Sequence, residues 1–236
     1  MTLDLGGTAV VLLPGTGSDD DYIRRAFSGP LQQAGAELIA HRPQPGHLID
    51  GYLAALDSAA AQHGPIVAGG VSIGAAVAAA WALRHLGRVV AVLAALPAWT
   101  GRPETAPAAQ AARNSADQLR RDGLPTVTAQ LRASSPAWLA DELTRSWATQ
   151  WPQLPDALAE AAAYVAPSRA ELQTLGVPLG VAAAVDDPVH PLQVAAEWVA
   201  AAPRAALRTV TLDQIGADPE VLGAACLAAL AAAQRG

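Results

Sequence analysis

The pentapeptide at residues 70–74 contains the side chain with the clearest chemical potential in this sequence. It reads G-V-S-I-G with Ser72 at its centre, and it lies between an apolar run at 65–70 and an alanine-rich run after Gly74. Flanking glycines let a chain turn sharply from strand to helix and hold the central serine in a strained, exposed position. The motif therefore predicts a nucleophilic serine, Ser72, at a strand-to-helix turn that opens into a pocket.

Two other interpretations of the motif compete with this one. The first is a plain glycine turn in which the serine has no chemical role, although a chance match would seldom fall between a strand and a helix. The second is a dinucleotide site, but G-G-V-S-I-G lacks the G-x-G-x-x-G spacing and no acidic residue ends the following strand. The position of the motif favours the nucleophile.

Segments typical of strands and helices alternate along the chain. The predicted strands cover 8–13, 36–43, 65–70, 89–97, 177–185 and 206–212, and the predicted helices cover about 20–35, 47–62, 75–87, 191–202 and the stretch from 219 onward. Strands that read as continuous apolar runs are typical of a parallel sheet covered by helices on both faces. The predicted fold class is therefore α/β.

The stretch from about 100 to 175 differs from the rest of the chain. It is rich in proline, arginine, serine and tryptophan, shows no strand pattern, and has helices that look amphipathic. We expect it to form a helical cap inserted into a single domain that spans residues 1–236. We also expect at least one of Trp138, Trp147 and Trp151 to line the pocket beside the serine.

Composition and charge exclude several classes of function. The net charge is -6 and the arginines are scattered among acids, which disfavours a nucleic-acid partner. The chain has no lysine, so Schiff-base chemistry is excluded. The absence of a secretory signal pattern and of long apolar runs leads us to expect a cytoplasmic protein that does not insert into membranes. We expect no metal and no cofactor, and a structural role in the core for Cys226.

From its first strand to its last helix, the sequence resembles the α/β-hydrolase superfamily. Residues 10–17, V-V-L-L-P-G-T-G, are similar to the first conserved strand and oxyanion loop of that family. The resemblance implies that the backbone amides of Thr16 and Ile73 bind a developing oxyanion. It also implies a structural role for His47, which belongs to a Pro-Gly-His segment that precedes a helix in many members.

The resemblance also indicates where an acid should lie. Residues 178–191, P-L-G-V-A-A-A-V-D-D-P-V-H-P, are similar to the strand and loop that carry the family's catalytic acid. The alignment favours Asp187 over Asp186, and an acid there would orient a histidine and stabilise its charged form. The alternative is that both are loop or helix-capping acids before Pro188.

The sequence departs from the family where the catalytic histidine is expected, because the usual Gly-His reads Gly216-Ala217. Three explanations stay open: an alanine introduced to trap a complex, a natural member without hydrolytic activity, or another group acting as the base. His190 is the best substitute base, although it could also be an ordinary loop histidine. The remaining histidines, His41, His63 and His85, are expected to be structural.

These observations leave three functional hypotheses. The first is a serine hydrolase that acts on a small or medium ester or thioester through Ser72, with a small-molecule acyl substrate as its partner. The second is a binding protein of the same fold without catalysis, and the third is a lyase or carbon–carbon bond-cleaving enzyme. We also expect Ala217 to lie beside Ser72 and Asp187, so that Ala217→His would create esterase activity.

Overall fold

The centre of the protein is a twisted parallel sheet. In the computed structural model, which describes residues 4–235, six strands pair in the order β2-β1-β3-β4-β5-β6, and every pair is parallel. The strands are β1 (Ala9–Leu13), β2 (Glu37–Ala40), β3 (Ile66–Val71), β4 (Val89–Ala95), β5 (Leu179–Ala184) and β6 (Ala205–Val210). The sheet confirms the predicted fold class. Its strand order places the carboxyl ends of β3, β4 and β5 side by side at one edge.

Helices connect the strands and cover the sheet. They are α1 (Asp20–Gln33), α2 (Leu48–His63), α3 (Ile73–Arg84), α4 (Pro107–Ser134), α5 (Ala137–Gln150), α6 (Leu154–Ala163), α7 (Arg169–Leu172), α8 (Leu192–Ala201), α9 (Leu212–Ala217) and α10 (Glu220–Ala233). The sequence analysis missed α9 and extended the last strand to residue 212. The helix forms because Thr211 and Gln214 make a reciprocal capping box at its start.

Two apolar cores lie on opposite faces of the sheet, because alternate residues of each buried strand point to opposite sides. Val11 and Leu13 pack with residues of α2, α3 and α8, whereas Val10 and Leu12 pack with residues of α1 and α10. Cys226 belongs to the second core and is fully buried, which raises the pKa of its thiol to about 12. This thiol is a packing group, as the sequence indicated. Among residues 4–235, no helix combines the length and the apolar character needed to cross a bilayer.

Four helices, α4 to α7, occupy the chain between β4 and β5, and we call this part the cap segment. It has a small apolar core of its own in which Leu119, Trp147, Leu154 and Leu158 are buried. Its α5 is also tied to the start of α1. Arg145 donates two hydrogen bonds to Asp19, of 2.7 and 3.0 Å.

The ion pair between Arg145 and Asp19 should make stability depend on acid pH. Asp19 is buried and caps α1 by accepting from the Tyr22 amide. Burial raises the pKa of Asp19, but the hydrogen bonds and charge of Arg145 and the Tyr22 amide outweigh it, so the pKa is lowered from 3.8. A lowered pKa gives stability that is present above the ordinary value and is lost as pH falls through the folded-state value.

We therefore expect Arg145→Met to lower the free energy of unfolding at pH 7 by about 1 to 2 kcal/mol, a value discounted for the partial exposure of Arg145. The difference from wild type should shrink when urea unfolding is repeated at pH values that fall through the lowered folded-state pKa of Asp19. Arg24→Met is the matched control, since Arg24 pairs with Asp20 at the surface. A pH-independent difference for Arg145→Met would contradict the assignment.

Candidate active site

Ser72 lies at the turn between β3 and α3 with a backbone conformation that non-glycine residues rarely adopt. Its φ is 55° and its ψ is -117°. Such a conformation costs about 1 to 3 kcal/mol and persists only because the surrounding structure stabilises it. A side chain added at either flanking glycine, Gly70 or Gly74, would collide with the Leu13 carbonyl. The two glycines therefore let the turn pack against the end of β1, and the predicted strained strand-to-helix turn is present.

His190 joins the serine to the acid loop. Its Nε2 lies 2.9 Å from the Ser72 Oγ, and its Nδ1 lies 2.8 Å from the Asp187 Oδ2. Only 17% of the His190 side chain and 8% of the Asp187 side chain are exposed. The structure thus brings Ser72, His190 and Asp187 together in one continuous hydrogen-bonded chain of side chains.

Asp187 is held in the orientation that this chain requires. Its Oδ1 accepts from the Val189 amide at 2.7 Å and from the His190 amide at 3.1 Å, which leaves Oδ2 for the imidazole. Burial raises the pKa of Asp187, but the hydrogen bond and charge of His190 and the two amides outweigh burial and lower it. The carboxyl group is therefore ionised at neutral pH and can only accept hydrogen bonds.

This ionisation fixes the tautomer of the neutral histidine. A carboxylate has no proton to donate, so Nδ1 of His190 must carry the hydrogen that bonds Asp187. Nε2 of the neutral ring is then an acceptor, and the Ser72 hydroxyl donates to it. The arrangement can accept a proton from Ser72 while the adjacent carboxylate stabilises the positive charge that forms on the ring.

The neighbouring acid has a different contact. The Oδ1 of Asp186 accepts from the Leu212 amide at 2.8 Å and so connects the loop after β5 to the start of α9. Asp186 makes no hydrogen bond to His190 within residues 4–235. Of the two acids, Asp187 is therefore the one in contact with His190, and its role as the catalytic acid stays a prediction.

Ala217 is the residue that the sequence analysis expected beside Ser72 and Asp187, and its proximity to them stays a prediction. It is the last residue of α9 and is exposed, and the preceding Gly216 is covered by the indole of Trp138. The hydrogen bonds that a histidine at 217 was expected to make with Ser72 and Asp187 are already made by His190. Of the three explanations left open for Ala217, these contacts favour the one in which another group, His190, acts as the base, because the loop after β5 carries both the imidazole and the carboxylate.

The Thr16 and Ile73 amides, which were expected to bind an oxyanion, lie in segments that adjoin Ser72, and their role stays a prediction. Gly15 packs on the serine, since a Cβ added to Gly15 would lie 3.5 Å from the Ser72 Cβ, and Thr16 follows directly. Ile73 is the first residue of α3, whose amino-terminal end favours negative charge. Within residues 4–235, neither the Thr16 amide nor the Ile73 amide donates a hydrogen bond to another protein group. Both amides are therefore available to an anionic oxygen.

The tryptophans of the cap segment have three different environments. Trp147 is buried, and its Nε1 would lie 2.5 Å from a Cβ at Gly17 in the loop after β1. Trp138 covers Gly216, whereas Trp151 is 40% exposed. A cavity of about 160 Å³ is lined by Trp147, and a second of about 220 Å³ by Arg145 and Gln150, but Ser72 lines neither. A pocket above Ser72 lined by a tryptophan stays a prediction.

The other histidines lie apart from this chain of contacts. Within residues 4–235, no hydrogen bond joins His41, His47, His63 or His85 to Ser72 or Asp187. His41 packs edge-on against Tyr52, and burial lowers the pKa of its ring. In the same part of the chain, no group of three or more His, Cys, Asp and Glu side chains is arranged to hold a metal ion.

Solved structures share this architecture. The chain is similar to a carboxylesterase structure from Nitrososphaera gargenis, with a TM-score of 0.70, 16% identity, and coverage of 91% of this chain and 86% of that one. It is also similar to a hydrolase from Pseudomonas aeruginosa PA01, with a TM-score of 0.69, 21% identity, and coverage of 94% of this chain and 89% of that one. For the enol-lactonase from Burkholderia xenovorans LB400, the TM-score is 0.64 at 18% identity, with coverage of 90% of this chain and 86% of that one. No protein-family model matches the sequence, and no curated protein matches it either.

Proposed function

On the α/β-hydrolase fold of this chain, we propose a serine hydrolase that acts on small or medium esters or thioesters. The observation that carries the proposal is the continuous hydrogen bonding from Ser72 through His190 to Asp187. A serine hydroxyl alone is a weak nucleophile at neutral pH, and an adjacent oriented base activates it. The hydrolase, carboxylesterase and enol-lactonase among the similar structures are consistent with this reaction class.

The proposed reaction has two halves. The Ser72 Oγ bonds to the acyl carbon while its proton moves to Nε2 of His190, and the carbonyl electron pair moves onto the oxygen held by the Thr16 and Ile73 amides. The tetrahedral species collapses, the bond to the alcohol or thiol breaks, and Nε2 returns the proton to that leaving group. Water then attacks the acyl-serine by the same route and releases the carboxylic acid and the free hydroxyl.

The contacts of Asp187 support its part in this proposal. Its two oxygens accept three hydrogen bonds, so the carboxylate orients the imidazole and stabilises the charged ring without taking its proton. The alternative of a binding protein without catalysis depended on the absence of a base. With His190 in contact with Ser72, that alternative no longer has a feature of this chain in its favour and becomes one outcome of the test.

Labelling with a fluorophosphonate probe tests the proposal, because the probe requires an activated serine. We expect labelling at Ser72, located by mass spectrometry of the digested protein, and release of p-nitrophenol from p-nitrophenyl acetate or butyrate. Ser72→Ala should abolish both signals and leave the circular dichroism spectrum unchanged. A folded wild-type protein that is neither labelled nor active on a panel of esters and thioesters would overturn the proposed function and favour the binding protein.

A further inference from the structure

Buried side chains from two different helices hold the loop that follows β1. This loop, residues 14–18, contains Thr16 and is called the oxyanion loop here. The Tyr52 hydroxyl of α2 donates to the Pro14 carbonyl at 2.9 Å. From α5 of the cap segment, the Ser146 hydroxyl donates to the Gly17 carbonyl, and the Gln150 Nε2 donates to the Ser18 carbonyl at 3.0 Å.

These three donors are removed from solvent. Tyr52 and Ser146 are fully buried, and Gln150 is 4% exposed. A buried carbonyl that loses its donor cannot recover a hydrogen bond from bulk water, so the loop must shift or stay unsatisfied. The donors therefore restrict the backbone on both sides of Thr16.

The packing of α5 on the same loop is close. Gly17 has a φ of 76°, and its Cα faces the Trp147 indole so closely that any side chain there would collide with the ring. Ser146 and Gln150 lie about one turn apart on α5, and their donor groups reach successive carbonyls of the loop. The contacts of α5 therefore require the observed backbone conformation of the oxyanion loop.

We propose that Tyr52, Ser146 and Gln150 are positioning residues that aim the Thr16 amide at the oxyanion. The inference rests on the proposed function, because it gives these residues a role in the same reaction. The Thr16 N–H is coplanar with the Gly15 carbonyl, which accepts from the Ser18 amide at 3.0 Å. The carbonyls of Pro14 and Gly17 belong to peptide planes on either side, and their buried donors restrict how far the Thr16 N–H can turn. An error of about 1 Å in the placement of a reacting group can cost about a hundredfold in rate.

The ion pair between Arg145 and Asp19 provides a control that distinguishes positioning of the oxyanion loop from attachment of the cap segment. Arg145 also belongs to α5, but it binds a side chain that follows the oxyanion loop and caps α1. Arg145→Met therefore removes a link between the cap segment and α1 without removing a donor to the loop carbonyls. We expect it to affect stability and to leave turnover within about twofold of wild type.

The test compares the full-length variants Tyr52→Phe, Ser146→Ala and Gln150→Met with Arg145→Met. We expect each of the three donor variants to lower kcat on p-nitrophenyl acetate by about 10- to 100-fold. This loss is smaller than the roughly 10²- to 10³-fold loss that follows removal of an oxyanion donor itself. KM should change by less than about threefold, and binding of a trifluoromethyl ketone, which forms an oxyanion on Ser72, should weaken in proportion to kcat. Melting curves establish that each protein is folded at the assay temperature.

Tyr52→Phe keeps the aromatic ring and so provides a mild variant if Ser146→Ala or Gln150→Met fails to fold. If the wild type is active and the folded donor variants keep kcat within twofold of it, the positioning role is overturned and the proposed function is not. Equal losses in Arg145→Met and the donor variants would also overturn it, because attachment of the cap segment would then explain the data. An inert wild type would overturn this inference together with the proposed function.

Discussion

Replacing His190 with alanine is expected to lower kcat on a p-nitrophenyl ester by about four to six orders of magnitude, the usual cost of removing the base from a serine nucleophile. The reason is that His190 is the hydrogen-bond partner of the Ser72 hydroxyl and of the Asp187 carboxylate. Steady-state kinetics and fluorophosphonate labelling measure the effect. His63→Ala, an exposed histidine at the end of α2, is the matched control and should retain full activity.

The same experiment decides whether residue 217 can carry the base. Ala217→His was expected from the sequence to create activity, but Ala217 is exposed and Ser72 is already bonded to His190. We now expect Ala217→His to leave the wild-type activity unchanged and to give no rescue when combined with His190→Ala. Recovery of activity in the double variant would show that the end of α9 can reach the serine, and it would contradict this interpretation.

Asp187→Asn is expected to lower kcat by about 10⁴-fold while leaving the fold intact, as loss of the acid does in serine proteases. An asparagine can present its amide N–H to Nδ1, which would favour the tautomer with the hydrogen on Nε2 and leave Ser72 without an acceptor. Burial raises the pKa of Asp187, and the stronger hydrogen bonds and charge of His190 lower it, so the native group supplies a full negative charge at neutral pH.

Asp186→Asn is a sensitive control for this prediction because the two acids are adjacent. Asp186 accepts one hydrogen bond from the Leu212 amide, and an asparagine oxygen can accept the same bond. Kinetic constants of Asp186→Asn should stay within about threefold of wild type. Equal effects of the two substitutions on kcat would mean that the loss reflects general disruption of the loop, not removal of the acid.

The order of strands and helices and the turn at Ser72 were predictable because they depend on local properties. Continuous apolar runs marked the buried strands, and the two glycines around Ser72 were needed where the chain turns against the Leu13 carbonyl. Helix α9 was missed because its capping box, formed by Thr211 and Gln214, gives a weak signal in a short polar segment.

What the sequence by itself determined was the parallel sheet and the turn at Ser72, because each depends on short segments of the chain. The same kind of local pattern led to the prediction of Ser72 as the nucleophile and Asp187 as the acid. The contact between Ser72 and the proposed base, His190, was decided by tertiary structure. Ser72 and His190 are separated by 118 positions, and only the placement of β3, β4 and β5 side by side brings their side chains to 2.9 Å. The donors that hold the oxyanion loop, such as Gln150, could not be predicted from the sequence either, because a buried donor has no fixed sequence spacing from the carbonyl that it binds.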